Sequence, residues 1–179
     1  MFNWLRKVFG NSSNSPQVSS DTSHGGVYSG LRHQALSATR TDFGISPLSP
    51  DLPIWGVLME SGYPEGTATL FALSDGTTSL YLSSGGGIIG GQGHENVRQA
   101  NTKFIKLANE FYESFKPCSS FPIPEAEQAV FYVLTDSGIL TESSLEEDFG
   151  NNRHLLSPLF YAGQEVITQL RQTTEQQDA

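Results

Sequence analysis

This sequence of 179 residues has little cysteine, little positive charge and no long apolar run. Cys118 is its one cysteine, which excludes an intrachain disulfide and a cysteine-cluster zinc site and is typical of a reducing compartment. Ten Lys and Arg stand against 19 Asp and Glu, a net charge of −9. This balance argues against nucleic acid as a partner, because phosphate binding needs clustered cations. No apolar run approaches the roughly 18–20 residues that span a bilayer.

Motifs for catalysis and metal binding are missing as well. The four histidines are His24, His33, His94 and His154. Their spacing matches none of H-x-H, H-x-x-x-H or H-E-x-x-H, so we expect no metal site. There is no G-x-S-x-G, no Walker loop and no kinase signature. Cys118 lies in a predicted loop, where an inert thiol is favoured over a nucleophile. The sequence therefore favours a protein without enzymatic activity, metal or cofactor.

The chain divides into four parts. Residues 1–9 are predicted to form an amphipathic helix that ends at Gly10. Residues 10–26 contain six serines and almost nothing apolar, which predicts a flexible Ser/Gly-rich linker. Residues 27–174 are predicted to form a single domain, and residues 175–179 a polar tail. No signal peptide is expected, because two cations interrupt the first apolar residues and no apolar stretch follows.

The start of the domain, residues 27–53, is ambiguous. Leu31, Ala35 and Leu36 can support one short helix. Three prolines between positions 47 and 53 instead favour an irregular, extended chain.

From residue 54 onward the pattern predicts five strands and two helices. The strands are predicted at 54–60, 67–74, 77–84, 128–136 and 139–143. The longer helix starts near His94 and is terminated by Pro117, and the last helix runs from Ser157 to about Arg171. The apolar stripe of the longer helix comprises Val97, Ala100, Phe104, Leu107, Ala108, Phe111 and Phe115. The inner side of the last helix comprises Leu159, Phe160, Ala162, Val166, Ile167 and Leu170.

A three-strand meander, a helix, a hairpin and a helix together predict an α+β domain. Successive hairpins make antiparallel pairs, so the five strands are expected to form one antiparallel sheet. Both helices are expected to pack on one face of it, giving two layers. The order of elements is similar to that of small sensor and adaptor modules of the profilin or roadblock kind, in layout alone. Fold by itself does not specify function.

A glycine-rich segment at 85–93 lies between a predicted strand and the longer helix. It fits G-x-G-x-x-G formally, but the strand before it belongs to a hairpin, and Asp136 lies far beyond the usual spacing of about 20 residues. An anion or nucleotide held by backbone N–H groups is one hypothesis, and a loop that only bends sharply is the other. The candidate ligand-binding residues are Gly85, Gly86, Gly87, Gly90, Gly91, His94 and Arg98.

Acidic stretches and exposed aromatic residues indicate candidate partner surfaces. Residues 41–97 contain six acids and no Lys or Arg, and residues 117–152 contain seven acids and no Lys or Arg. Such a surface either keeps the protein soluble or receives a basic partner. Tyr63 in a predicted turn, with Phe121 and Ile123 between prolines, is expected to be exposed, and such a patch can serve a partner.

The N-terminal segment gives the strongest indication of function in the sequence. Its apolar side chains lie on one half of a helical wheel and its two cations on the other, as in interfacial membrane anchors. Trp and Phe prefer the headgroup boundary, and cations are attracted to anionic lipid. The alternatives are a helix that docks into a partner's groove and a disordered chain end. The candidate anchoring residues are Phe2, Trp4, Leu5, Arg6, Lys7, Val8 and Phe9.

Together these patterns predict a non-enzymatic binding or adaptor domain, attached by its N-terminal segment to an anionic membrane surface or to a protein partner. The alternative is a small-ligand sensor or enzyme that uses loop 85–94. An edge strand beside the glycine-serine stretch favours a homodimer. We expect a cytoplasmic protein, either free or peripheral to a membrane.

Overall fold

Seven strands form one antiparallel sheet at the centre of the protein. The computed structural model describes residues 23–46 and 52–175. The strands are β1 (Ile54–Tyr63), β2 (Gly66–Leu73), β3 (Thr78–Leu82), β4 (Gly87–Ile89), β5 (Lys116–Pro117), β6 (Gln128–Thr135) and β7 (Gly138–Leu145). Their order in the sheet is β4-β3-β2-β1-β6-β7-β5, with every neighbouring pair antiparallel. The α+β class is confirmed.

The predicted number of five strands is wrong. The sheet gains β4 at one edge and β5 at the other, and each is only two or three residues long. Neither has a local apolar alternation, because β4 is built from glycine and isoleucine and β5 contains Pro117. Gly87 allows β4 to pair, since a Cβ there would collide with the carbonyl oxygen of Leu80. Such strands exist through pairing with a longer neighbour, which periodicity does not report.

Two helices cover one face of the sheet, as the apolar periodicity predicts. They are α2 (Glu95–Glu110) and α4 (Ser157–Glu175). The predicted stripe of α2 and the predicted inner side of α4 both enter the core against β1, β2 and β6. The longer helix ends at Glu110 rather than at Pro117, and a 3-10 turn at Tyr112–Ser114 follows it. Pro117 disfavours helical backbone in the residue before it, and Lys116 pairs in β5 instead.

The predicted two-layer arrangement is also wrong, because a further helix covers the opposite face. This helix, α1 (Ser23–Ser37), buries Tyr28, Leu31, Ala35 and Leu36. Strands β1 and β6 are buried along almost their whole length, so both faces of the sheet need a covering layer. The helix begins at Ser23, inside the segment predicted as linker. The predicted helix 1–9 lies outside the described residues.

One short helix lies at the end of the sheet that carries the β1–β2 turn. The helix α3 (Glu146–Gly150) follows β7 directly, within the acidic stretch 117–152. Its Phe149 is fully buried between Phe131 and Phe160.

Within residues 23–46 and 52–175, no helix has both the length and the apolar character needed to cross a bilayer.

Candidate binding cleft

A concave surface lies at the end of β1, where Tyr63 lines two cavities. One cavity has a volume of about 500 Å³ and is lined by three carboxylates, those of Glu127, Glu146 and Glu147. The other has a volume of about 340 Å³ and runs between β3 and α4. We call the two together the Tyr63 cleft, since Tyr63 lines both.

Backbone hydrogen bonds hold the acidic side of the Tyr63 cleft in place. The β1–β2 turn needs only Pro64 and Glu65, so Tyr63 pairs directly with Gly66. The Glu127 N–H donates to the carbonyl oxygen of Gly62 at 3.0 Å. The Glu146 N–H donates in turn to the carbonyl oxygen of Glu127 at 2.8 Å. These bonds secure the left-handed backbone of Glu127, whose φ is 66°.

The 122–127 loop reaches this position because β1 carries a glycine at its end. A Cβ on Gly62 would collide with the carbonyl oxygen of Glu125, so only glycine permits this close approach. The loop thereby brings Glu127 beside Tyr63, although 64 positions separate the two along the chain.

The carboxylates of the Tyr63 cleft are only partly compensated. Glu147 pairs with Arg153 at 2.8 Å. Among the described residues, neither Glu127 nor Glu146 has a cationic group within 4 Å. Burial raises the pKa of Glu146, and the hydroxyl of Ser61 only partly opposes it. Burial raises the pKa of Tyr63 as well, and the negative charge of Glu146 adds to that effect. A cation bound beside Glu146 would favour its charged form and offset the effect of burial.

Exposed apolar side chains border the same cleft. Tyr63, Leu82 and Leu145 are 43%, 37% and 47% exposed. Phe160 and Ile167 of α4 extend the apolar lining inward. Of the described residues that line the two cavities, Arg171 is the only basic one; it lines the second cavity, and its charge opposes that of Glu146 on the pKa of Tyr63. The surface is therefore suited to a ligand that is both apolar and cationic.

The glycine-rich loop has local structural reasons for its glycines. Gly85 and Gly86, with φ of 107° and 82°, form the turn between β3 and β4, and Gly90 has φ of 87°. Gly91 packs against Leu170 and Val97, where a side chain would collide. Positive φ and close approach are conditions that glycine meets best.

The two polar candidates of this loop, His94 and Arg98, differ in what they contact. His94 caps the start of α2 by its backbone, without a side-chain cap bond. Arg98 donates to the carbonyl oxygen of Gln92 at 2.7 Å and pairs with Glu95. The cavities at Tyr63, Arg32 and Arg40 include none of residues 85–94. Ligand binding by this loop stays a prediction, as does anchoring by residues 2–9, which lie outside the described part of the chain.

Sequence reasoning missed a buried ion pair on the opposite face of the sheet. The Arg32 guanidinium of α1 donates two hydrogen bonds of 2.7 Å to the Glu60 carboxylate of β1. The side chains are 11% and 0% exposed. Thr69 donates to the same carboxylate at 2.9 Å, and its hydroxyl oxygen accepts from Tyr28 at 2.9 Å. An acid within the apolar run 54–60 was the available signal, but its partner lies 28 residues away.

The Tyr132 hydroxyl and the Cys118 thiol lie on the same face as this ion pair, and burial favours the protonated form of both. Burial, followed by the negative charge of Glu60, raises the pKa of Tyr132 to about 12, and its hydroxyl donates to the carbonyl oxygen of Pro122 at 2.7 Å. Burial also raises the pKa of the Cys118 thiol, which faces the carbonyl oxygen of Ile139 at 3.6 Å. A thiol in this state is a poor nucleophile. The cluster therefore orients α1 on the sheet.

Comparisons with protein-family models, with curated proteins and with solved structures found no match to this chain. Within the part of the chain that the structure describes, no group of three His, Cys, Asp or Glu side chains is placed to hold a metal ion.

Proposed function

We propose that this protein is a binding or adaptor module whose Tyr63 cleft holds a short, cationic and apolar segment of a partner protein. The observation that carries the proposal is the pair of uncompensated carboxylates, Glu127 and Glu146, beside the exposed side chains of Tyr63 and Leu145. In this proposal the apolar side chains supply affinity by burial, and the carboxylates select for positive charge and speed association.

The dimensions of the Tyr63 cleft support a peptide as the ligand. Its two cavities, of about 500 and 340 Å³, fall in the range of roughly 300–1,000 Å³ typical of sites that enclose small ligands. They follow one another along α4, as an extended or helical segment would require. Tyr63 between them offers a rigid aromatic contact of the kind that dominates binding energy in interfaces.

The N-terminal segment has the second role in this proposal. Its apolar residues and two cations attach the module to an anionic membrane surface or to a protein. The domain itself carries most of the negative charge, so anionic lipid would repel it and leave the Tyr63 cleft accessible. The third strand, whose edge was expected to pair with a second copy, pairs with β4 instead, and a homodimer stays a prediction.

Anisotropy of a fluorescein-labelled, ten-residue Lys/Leu amphipathic peptide, titrated with the full chain, tests the cleft. Glu146→Lys should weaken binding about tenfold or more, because a charge-assisted hydrogen bond is worth about 1.5–3 kcal/mol. Glu113→Lys is the matched control, since Glu113 is exposed, lies outside the Tyr63 cleft and brings the same change in net charge. Equal loss in both variants would show a nonspecific charge effect and contradict the proposal.

The pKa of Glu146 predicts how this binding depends on pH. Burial raises the pKa, so Glu146 takes up a proton at a higher pH than an ordinary glutamate. The protonated acid no longer attracts a cation, so peptide affinity should fall as pH decreases through this raised pKa. Glu146→Gln should bind weakly and lose this part of the pH dependence. An unchanged pH profile in Glu146→Gln would remove Glu146 from the site.

A further inference from the structure

We infer that the chain's own N-terminal segment, residues 2–9, docks in the Tyr63 cleft and competes there with the partner peptide. The inference rests on the proposed function, because it assigns a second occupant to the same cleft. Three observations carry it: the chemistry of the segment, the direction of α1, and the length of chain between the segment and α1.

The chemistry of residues 2–9 matches the surface of the cleft. The segment FNWLRKVF contains five apolar residues, three of them aromatic, and two cations, with no acid. The cleft offers exposed apolar side chains beside Glu127 and Glu146, which have no cationic partner within the described residues. Arg6 and Lys7 supply the charge that these carboxylates lack, and Trp4 and the phenylalanines supply apolar surface to bury.

The direction of α1 brings the N-terminal segment to the correct end of the sheet. Tyr28, near the start of α1, contacts Thr69, which pairs with Glu60 close to the end of β1. Arg40, beyond the end of α1, pairs with Asp136 at the opposite end of the sheet. The helix α1 therefore starts at the end of the sheet that carries Tyr63, and the preceding segment joins it at that end.

The intervening chain is long enough to reach the cleft. Thirteen residues, 10–22, separate Phe9 from the start of α1. Thirteen extended residues span at most about 43–47 Å, and a flexible Gly/Ser-rich chain of that length has a root-mean-square span of about 20 Å. The path leads around the end of the sheet that carries the β1–β2 turn, from the face under α1 to the face under α4. A tether of this length gives an effective concentration in the millimolar range.

Two other cavities near α1 fit the segment less well. The cavity of about 290 Å³ beside α1 is lined by the cationic side chain of Arg32 and by His33, with no acid. The cavity of about 350 Å³ below the α1–β1 connection contains Arg40, which already pairs with Asp136. Positive charge on residues 6 and 7 therefore favours the Tyr63 cleft over both.

Residues 2–9 cannot dock in the Tyr63 cleft and bind a membrane or partner at the same time. While residues 2–9 occupy the Tyr63 cleft, they bind neither a membrane nor a partner, and the cleft accepts no peptide. An anionic surface that takes up the segment frees the cleft. The module then binds its partner only where its N-terminus is already engaged.

The Lys/Leu peptide measures this competition in the full chain. The double variant Arg6→Glu/Lys7→Glu should bind the peptide about tenfold more tightly than the natural chain, since a millimolar internal competitor is lost. The control is Lys103→Glu/Lys106→Glu, which changes the net charge equally on the exposed side of α2, away from the cleft. The control should leave the affinity within about twofold of the natural chain.

The outcomes separate the inference from the proposed function. If no variant binds the peptide at millimolar concentration, the proposed function fails. If all variants bind it, and the Arg6→Glu/Lys7→Glu variant binds no more tightly than the control, the proposed function stands and the inference is overturned.

A disulfide test reports the docked position directly. In a Cys118→Ala background, Gly10→Cys is combined with Asn151→Cys, which lines the Tyr63 cleft, or with Ser29→Cys, which lines the cavity beside α1. Position 29 is nearer along the chain, so an undirected tether would favour it. We expect the 10–151 disulfide to form about tenfold faster within the monomer. Faster 10–29 formation, or a 10–151 disulfide found only between two copies, would overturn the inference.

Discussion

The two faces of the sheet are closed by different chemistry. The face under α2 and α4 is covered mainly by apolar side chains that recur every three or four residues. On the face under α1, the described part of that helix buries four apolar side chains beside the Arg32–Glu60 ion pair, and Phe43, Ile45 and Phe121 from neighbouring segments complete the cover. Dense apolar packing accepts many similar arrangements, whereas a bidentate ion pair with the Thr69 hydroxyl accepts few.

This difference indicates what each face requires of its helix. The helices α2 and α4 are held mainly by the apolar surface area that they bury, since each packs a long apolar stripe against several strands. The helix α1 is glycine-containing and weakly amphipathic, so it needs a specific contact to define its position. Substitutions on the two faces should therefore behave differently, beginning with the ion pair.

The largest effect is expected from removal of one charge of the buried pair. Arg32→Met leaves the Glu60 carboxylate buried without its cation and should lower the free energy of unfolding by about 3–5 kcal/mol. The double variant Arg32→Met/Glu60→Leu removes the uncompensated charge and should recover most of that loss. Urea unfolding of the single and double variants checks this. A double variant as unstable as the single one would show that α1 is held by the ion pair itself, and that the loss in Arg32→Met does not come from the unpaired charge of Glu60.

A smaller effect is expected from a volume-conserving change on the apolar face. Leu159→Met at a fully buried position of α4 should cost less than about 1.5 kcal/mol, because methionine fills nearly the same space. The corresponding conservative change on the other face, Arg32→Lys, should cost more, because an ammonium group cannot make both hydrogen bonds to Glu60. Thermal unfolding followed by circular dichroism compares the two. Equal losses would remove the distinction between the faces.

A similarly small effect is expected at the outer end of the hydrogen-bond chain. The Thr69 hydroxyl hydrogen is used on Glu60, so the Tyr28 hydroxyl must donate to the Thr69 oxygen. Tyr28→Phe removes this one neutral hydrogen bond and should cost about 0.5–1.5 kcal/mol. Measured in urea against the natural chain, a loss as large as that of Arg32→Met would place the critical contact at Tyr28 instead.

Local pattern was sufficient where an element buries a long stripe or alternates over several residues. The five predicted strands and both periodic helices occur where the pattern predicts them, with ends that differ by a few residues. The helix α1 was not resolved by the pattern, because five apolar residues in fifteen leave several interpretations open. The edge strands β4 and β5 were missed because pairing alone makes them strands.

The candidate site divides along the same line. Exposure of Tyr63 was predicted from its place in a turn, and the structure agrees. The Tyr63 cleft itself was not predictable, since its lining comes from the β1–β2 turn, the loop before β6, α3 and α4. An acid such as Glu127 or Glu146 looks like solvated surface until a distant loop places it beside Tyr63.

The sequence by itself determined the α+β class, the positions of the main strands and helices, and the acidic character of the domain. These follow from residue type and short-range periodicity, which are local quantities. Only the tertiary structure decided that α1 covers the second face, that Glu60 is buried against Arg32, and that carboxylates gather around Tyr63. These depend on which distant segments meet, and in an antiparallel sheet that is settled by strand register and loop path.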